Sequence, residues 1–136
     1  GIVSLSEDEF FASSGVRSSV EAARNALSDK IQYLTEFLGG EYEIQGAYPA
    51  WEYRKESPLR DKMVEVYETM YGQKPEVVAI HAGLECGLFY KKIDGLDCVS
   101  LGPDMKDIHT SEEVLDIAST ERVWKYLVKV LEELKD

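Results

Sequence analysis

Cysteine and histidine are scarce in this sequence, with two of each among 136 residues. Cys86 and Cys98 do not form a CxxC arrangement and lie in different apolar segments. They read as buried thiols in a reducing compartment rather than as a disulfide or a metal pair. Basic residues are also few, 15 against 26 acids, for a net charge of −11. Such a surface repels phosphate, which argues against nucleic-acid and anionic-membrane partners. No apolar run approaches the roughly 20 residues of a membrane span. The start carries acids instead of a basic, then apolar, leader, so the expectation is a cytoplasmic chain without a signal peptide. GxSxG, P-loop and HExxH motifs are absent, and no carboxylate spacing marks a two-acid catalytic pair.

What remains is a globular composition, 44% hydrophobic and 30% charged, with ten glycines and four prolines. Ile2, Val3 and Leu5, a polar turn at Ser6–Glu9, and Phe10, Phe11, Ala12 and Val16 predict a hairpin. Ser18 and Glu21 read as a capping box for a helix with apolar residues at Val20, Ala23, Leu27, Ile31, Leu34 and Leu38. Gly39-Gly40 ends that helix, and Tyr42, Ile44 and Ala47 alternate as a half-buried strand. Residues 1–47 thus read as β-β-α-β, a small α+β unit.

The composition shifts at Tyr48-Pro49-Ala50-Trp51, which marks a boundary, with a second unit over residues 48–136. Ser57-Pro58 starts a helix carrying Met63, Val66, Tyr67 and Met70, and Gly72 stops it. Val77–Ile80 is a continuous apolar run of the kind found in strands covered on both faces. A short helix follows around Cys86–Phe89, then a strand over Leu96–Leu101, a polar loop from Gly102 to Glu113 and an apolar stretch, Val114–Ile117. Ser119 reads as the cap of a last helix with Val123, Trp124, Leu127, Val128, Leu131 and Leu134, and both tryptophans read as core. The fold class expected is α/β.

Two segments are unusual for plain scaffold. In Ile80-His81-Ala82-Gly83-Leu84-Glu85-Cys86-Gly87, a histidine, a glutamate and glycines occupy the turn leaving a predicted strand, where α/β sheets place ligands. Glycine there lets a substrate approach the backbone closely. The plainer reading makes His81 a strand-end residue and Glu85 a solvated helix residue. In Asp107-Ile108-His109-Thr110-Ser111-Glu112-Glu113, His109 again follows a predicted strand. A neutral imidazole flanked by carboxylates suits zinc, although a histidine in a polar loop is also simply an exposed one. Arg17, at the end of the hairpin, can clamp a carboxylate with two parallel hydrogen bonds, or pair at the surface.

Val16–Val20, Tyr48–Trp51, the HAGLECG run of residues 81–87, and Gly102-Pro103-Asp104 followed by Asp107–Thr110 together resemble the C-terminal portion of aminoacyl-histidine (Xaa-His, β-alanyl-histidine) dipeptidases. These are two-zinc metallopeptidases in which a lid domain interrupts an α/β catalytic domain. The resemblance runs through essentially the whole chain in order. It implies that residues 1–47 are the end of the lid, a dimerisation-type domain, and residues 48–136 the end of the catalytic domain. His109 matches the last metal ligand. Arg17 falls where related enzymes grip the substrate's terminal carboxylate, and His81, Gly83 and Glu85 fall on a pocket-lining turn.

The activity so implied is hydrolysis of Xaa-His dipeptides by metal-activated water, whose pKa two zinc ions lower towards about 7. In the family, the His-x-Asp motif, bridging Asp, Glu-Glu pair with its general base, and further acid lie upstream of the portion that this sequence resembles. Activating water takes about three protein ligands and an open position on the zinc. The expectation is therefore a part of a longer peptidase that is inactive alone and self-associates through uncovered strand edges. The alternatives are a non-catalytic interaction or regulatory module, and a metal-delivery or dimerisation fragment with one weak zinc site.

Overall fold

In the computed structural model, which describes residues 1–80 and 85–135, the chain is a mixed α/β structure of four helices and two small antiparallel sheets. It divides into two units. The first comprises Gly1–Tyr53 and Ala79–Lys92, the second Arg54–Val78 and Ile93–Asp136.

In the first unit, β1 (Ile2–Leu5) pairs with β2 (Phe10–Ser13), with Ile2 opposite Ser13 and Leu5 opposite Phe10. The polar turn forms as its residues dictate. Ser6 N–H donates to the Glu9 carbonyl at 2.8 Å, and Ser6 Oγ accepts the Glu9 N–H at 3.0 Å. Helix α1 (Glu21–Phe37) follows. Its N-cap is Val20, not a Ser18–Glu21 capping box: Ser18 Oγ accepts the Val20 N–H, and the Glu21 N–H turns to the Glu52 carboxylate. A local motif has here given way to a carboxylate thirty-one residues away.

The C-terminus of α1 matches expectation. Gly39 takes φ 81°, and the N–H groups of Gly39 and Gly40 donate to the carbonyls of Glu36 and Thr35. That pattern is a Schellman motif, which glycine forms without Cβ strain. Residues 42–47, predicted as a strand, form none; Tyr42 instead hydrogen-bonds through its hydroxyl to Ser28 of α1 at 2.7 Å. Helix α3 (Glu85–Lys92) completes the unit, with its buried Gly87 against the chain at Pro49–Trp51. A Cβ on Gly87 would lie 3.2 Å from the Pro49 carbonyl oxygen, so the residue's smallness permits the approach.

The second unit is built on α2 (Pro58–Tyr71) and α4 (Ile117–Glu133). Ser57 is the N-cap of α2, Pro58 its first residue and Gly72, at φ 69°, its C-cap, as their residue types predict. Met63 and Val66 from α2 meet Tyr126 and Val130 from α4 in the buried core, flanked by Leu59, Tyr67, Met70, Tyr71 and Val99. Tyr126 stands edge-on to Tyr67 at 5.3 Å, and its hydroxyl donates to the Met63 carbonyl at 2.7 Å. The core is small, and at about 1.5–3 kcal/mol per fully buried apolar side chain each member matters.

The N-cap of α4 is Asp116, not Ser119. Its carboxylate accepts the Ser119 N–H at 2.6 Å, while buried Ser119 donates its hydroxyl to the Asp116 carbonyl and accepts the Asp104 N–H. Trp124, read as core, is 65% exposed, and Trp51 is half-buried. Neither Val77–Ile80 nor Leu96–Leu101 forms a strand. Their residue types suit a sheet, but among the described residues no strand lies beside them to share backbone hydrogen bonds, and Val77, Val78 and Ile80 stay exposed.

Candidate functional site

His109 sits in a loop hung from a minimal hairpin. Strands β3 (Met105–Lys106) and β4 (Val114–Leu115) pair antiparallel, Met105 opposite Leu115 and Lys106 opposite Val114. Below them the Asp116 N–H donates to the Asp104 carbonyl at 2.9 Å and lengthens the ladder. Between the strands, the Asp107 carbonyl accepts both the Thr110 N–H at 3.1 Å and the Thr110 hydroxyl at 2.6 Å. The Thr110 hydroxyl oxygen in turn accepts the Glu112 N–H, and the Thr110 carbonyl accepts that of Glu113.

Asp107–Thr110 is thus a hydrogen-bonded four-residue turn with His109 at its third position, where type II turns require φ above zero. His109 has φ 67° and Asp107 φ 52°, the two non-glycine residues with positive φ among those described. Left-handed backbone costs an L-residue about 1–2 kcal/mol, less for Asp and His than for bulky or β-branched types. The bonds within the loop offset that cost. The His109 N–H donates to Glu113 Oε2 at 2.7 Å, and the His109 side chain is exposed.

Of the other candidates, Arg17 lies in the extended segment after β2, exposed and without a hydrogen bond or ion pair to any described residue. Glu85 opens α3, where a carboxylate complements the positive end of the helix dipole, and is exposed. His81 and Gly83 lie outside the described residues. Arg17 and Glu85 belong to the first unit and His109 to the second. Sequence reading missed Glu113 as a partner of His109; an acid four residues after a loop histidine was the available signal.

The two cysteines, read as buried, are half-buried, one in each unit. Among the described residues no three His, Cys, Asp or Glu side chains converge as a metal-ligand group. These residues therefore do not make a zinc site by themselves, and His109 offers one imidazole. No helix of the described residues is long and apolar enough to cross a membrane.

No family model matches the chain. Over 134 residues it is 31% identical to the cytosol non-specific dipeptidase of Escherichia coli (strain K12), a match taking in 98% of this chain and 28% of that protein. The crystal structure of aminoacylhistidine dipeptidase from Vibrio alginolyticus matches with a TM-score of 0.71 and 34% identity, over 88% of this chain and 24% of that one. Both relatives are dipeptidases, and this chain is homologous to a part of such an enzyme, spanning about a quarter of the length of each.

Proposed function

We propose that the chain is the C-terminal part of a cytoplasmic two-zinc dipeptidase that hydrolyses Xaa-His dipeptides. The observation that carries this reading is the homology to a dipeptidase along 98% of the chain. His109, exposed on its clamped turn, supplies one metal ligand. The other ligands and the general base belong to the rest of such an enzyme, so the 136-residue chain alone is inactive. Arg17, exposed and without a partner among the described residues, grips the free carboxylate of the dipeptide and thereby selects short substrates. Glu85, with His81 and Gly83, lines the substrate pocket. Residues 1–47 belong to the lid and residues 48–136 to the catalytic domain. The apolar side chains left open in both units support the view that further chain, or a second copy, covers them.

The test compares the 136-residue chain with the natural product of its coding sequence, using β-alanyl-histidine as substrate. The natural product is expected to exceed 15.4 kDa by intact mass, to cleave the dipeptide, and to lose activity and bound zinc in His109→Ala. In that longer enzyme Arg17→Ala raises KM by about tenfold or more, the worth of a charge-assisted contact. Turnover by the purified 136-residue chain, or a natural product of that same mass, overturns the reading; the second outcome favours a regulatory or interaction module.

A further inference from the structure

The loop from Asp107 to Glu113 is held by two side chains of different kinds. Thr110 braces its first half through the Asp107 carbonyl. Across the second half, the Glu113 carboxylate reaches back to the His109 backbone and accepts its N–H at 2.7 Å. A charge-assisted bond of that length is short and strong for an exposed loop. It fixes the peptide plane entering His109. With that plane fixed and φ held at 67°, the direction of the Cα–Cβ bond, and with it the exit of the imidazole from the chain, is set.

We propose that Glu113 is a positioning residue: its carboxylate holds the His109 backbone in the left-handed conformation and so sets, before anything binds, the direction in which the imidazole leaves the chain. The purpose of this presentation rests on reading His109 as a site residue; the clamp itself does not. It requires an acceptor at the end of a side chain of glutamate length. Glutamine keeps such an acceptor and alanine does not.

Amide hydrogen exchange and the HN–Hα coupling, measured by NMR on the full 136-residue chain, test the clamp directly. Glu113→Ala is expected to speed exchange at His109 by about tenfold, the loss of one hydrogen bond to a charged group, and to shift its coupling away from the left-handed value. Met105 and Lys106 keep their exchange rates, and Glu113→Gln restores His109 most of the way. Unchanged exchange and coupling at His109 in Glu113→Ala overturns the proposal, as does equal loss in the Gln and Ala variants. His109→Asn separates the two claims, because asparagine tolerates the same backbone and leaves the N–H in place. If the metal reading fails, zinc content in the longer enzyme does not respond to His109→Asn, while the response of exchange to Glu113 is untouched.

Discussion

Asp97 shows how one carboxylate organises the start of a helix. One oxygen accepts the hydroxyl of buried Ser57 at 2.7 Å and the other the Leu59 N–H at 2.9 Å. Ser57 Oγ meanwhile accepts the Arg60 N–H, so two orphan amides of α2 are satisfied through a pair of side chains. Partial burial pushes the Asp97 pKa up, but the bonds from Ser57 and Leu59 and the charges of Arg54 and Arg60 outweigh it and leave the group below its ordinary 3.8. The sign follows: Asp97 adds stability that is complete above the unfolded value and disappears as pH falls through the lower folded value. Urea denaturation from about pH 6 to pH 2 should show this acid-side loss shrinking in Asp97→Asn. At neutral pH, Ser57→Ala should cost about 1 kcal/mol, the usual worth of an N-cap. Ser57-Pro58 could be read from the sequence as a helix start. Asp97 could not, because its part in the cap depends on a contact spanning forty residues of chain.

At the scale of elements, the helices and the first hairpin were legible, and the strands predicted without a neighbouring partner were not. A helix satisfies its own backbone, so the stripe Met63, Val66, Tyr67 and Met70 and the stops at Gly72 and Gly39-Gly40 suffice to predict it. A strand satisfies nothing until a partner lies beside it. The sheet-like residues of 42–47, 77–80 and 96–101 therefore remain without ladders here, whereas the hairpin of β1 and β2 carries its own partner. The candidate site divides in the same way. His109 was legible as a residue type in a suspicious loop; its positive φ and its bond to Glu113 were not, because aspartate, histidine and glutamate occur in ordinary loops as well. The packing of α4 on α2 is directed by hydroxyls from both helices: Tyr71 donates to the Arg122 carbonyl at 3.1 Å, and Tyr126 donates to the Met63 carbonyl at 2.7 Å. Burial beside Tyr67 and Tyr71 raises the pKa of the Tyr126 hydroxyl, so it stays a donor through the physiological range. Tyr126→Phe should cost about 0.5–1.5 kcal/mol in chemical denaturation with the fold retained.

Across the whole molecule, the described apolar surface is uneven. Phe37 is 86% exposed, Ile117 82% and Leu5 79%, and Trp124 and Leu131 stand out from α4 on the side away from Tyr126 and Val130. A net charge of −11 opposes close approach of copies, most strongly at low salt. Exposed hairpin edges and apolar faces favour it. Sedimentation should therefore show association that grows with protein concentration and with added salt. Replacing both Trp124 and Leu131 by Glu should weaken that association while changing unfolding stability by only about 0.5 kcal/mol, as expected for exposed positions. A monomer at all concentrations and salts would remove self-association from the proposal.

Buried Ser119 ties the foot of the β3–β4 hairpin to the first turn of α4, since Asp104, Asp116 and Ser119 share one knot of hydrogen bonds. Residues 104–119 therefore behave as a cassette whose geometry travels intact with the start of its helix. One residue added between Asp104 and Asp116 would displace the imidazole bodily, and the whole stretch can be grafted only together with the helix turn that carries it.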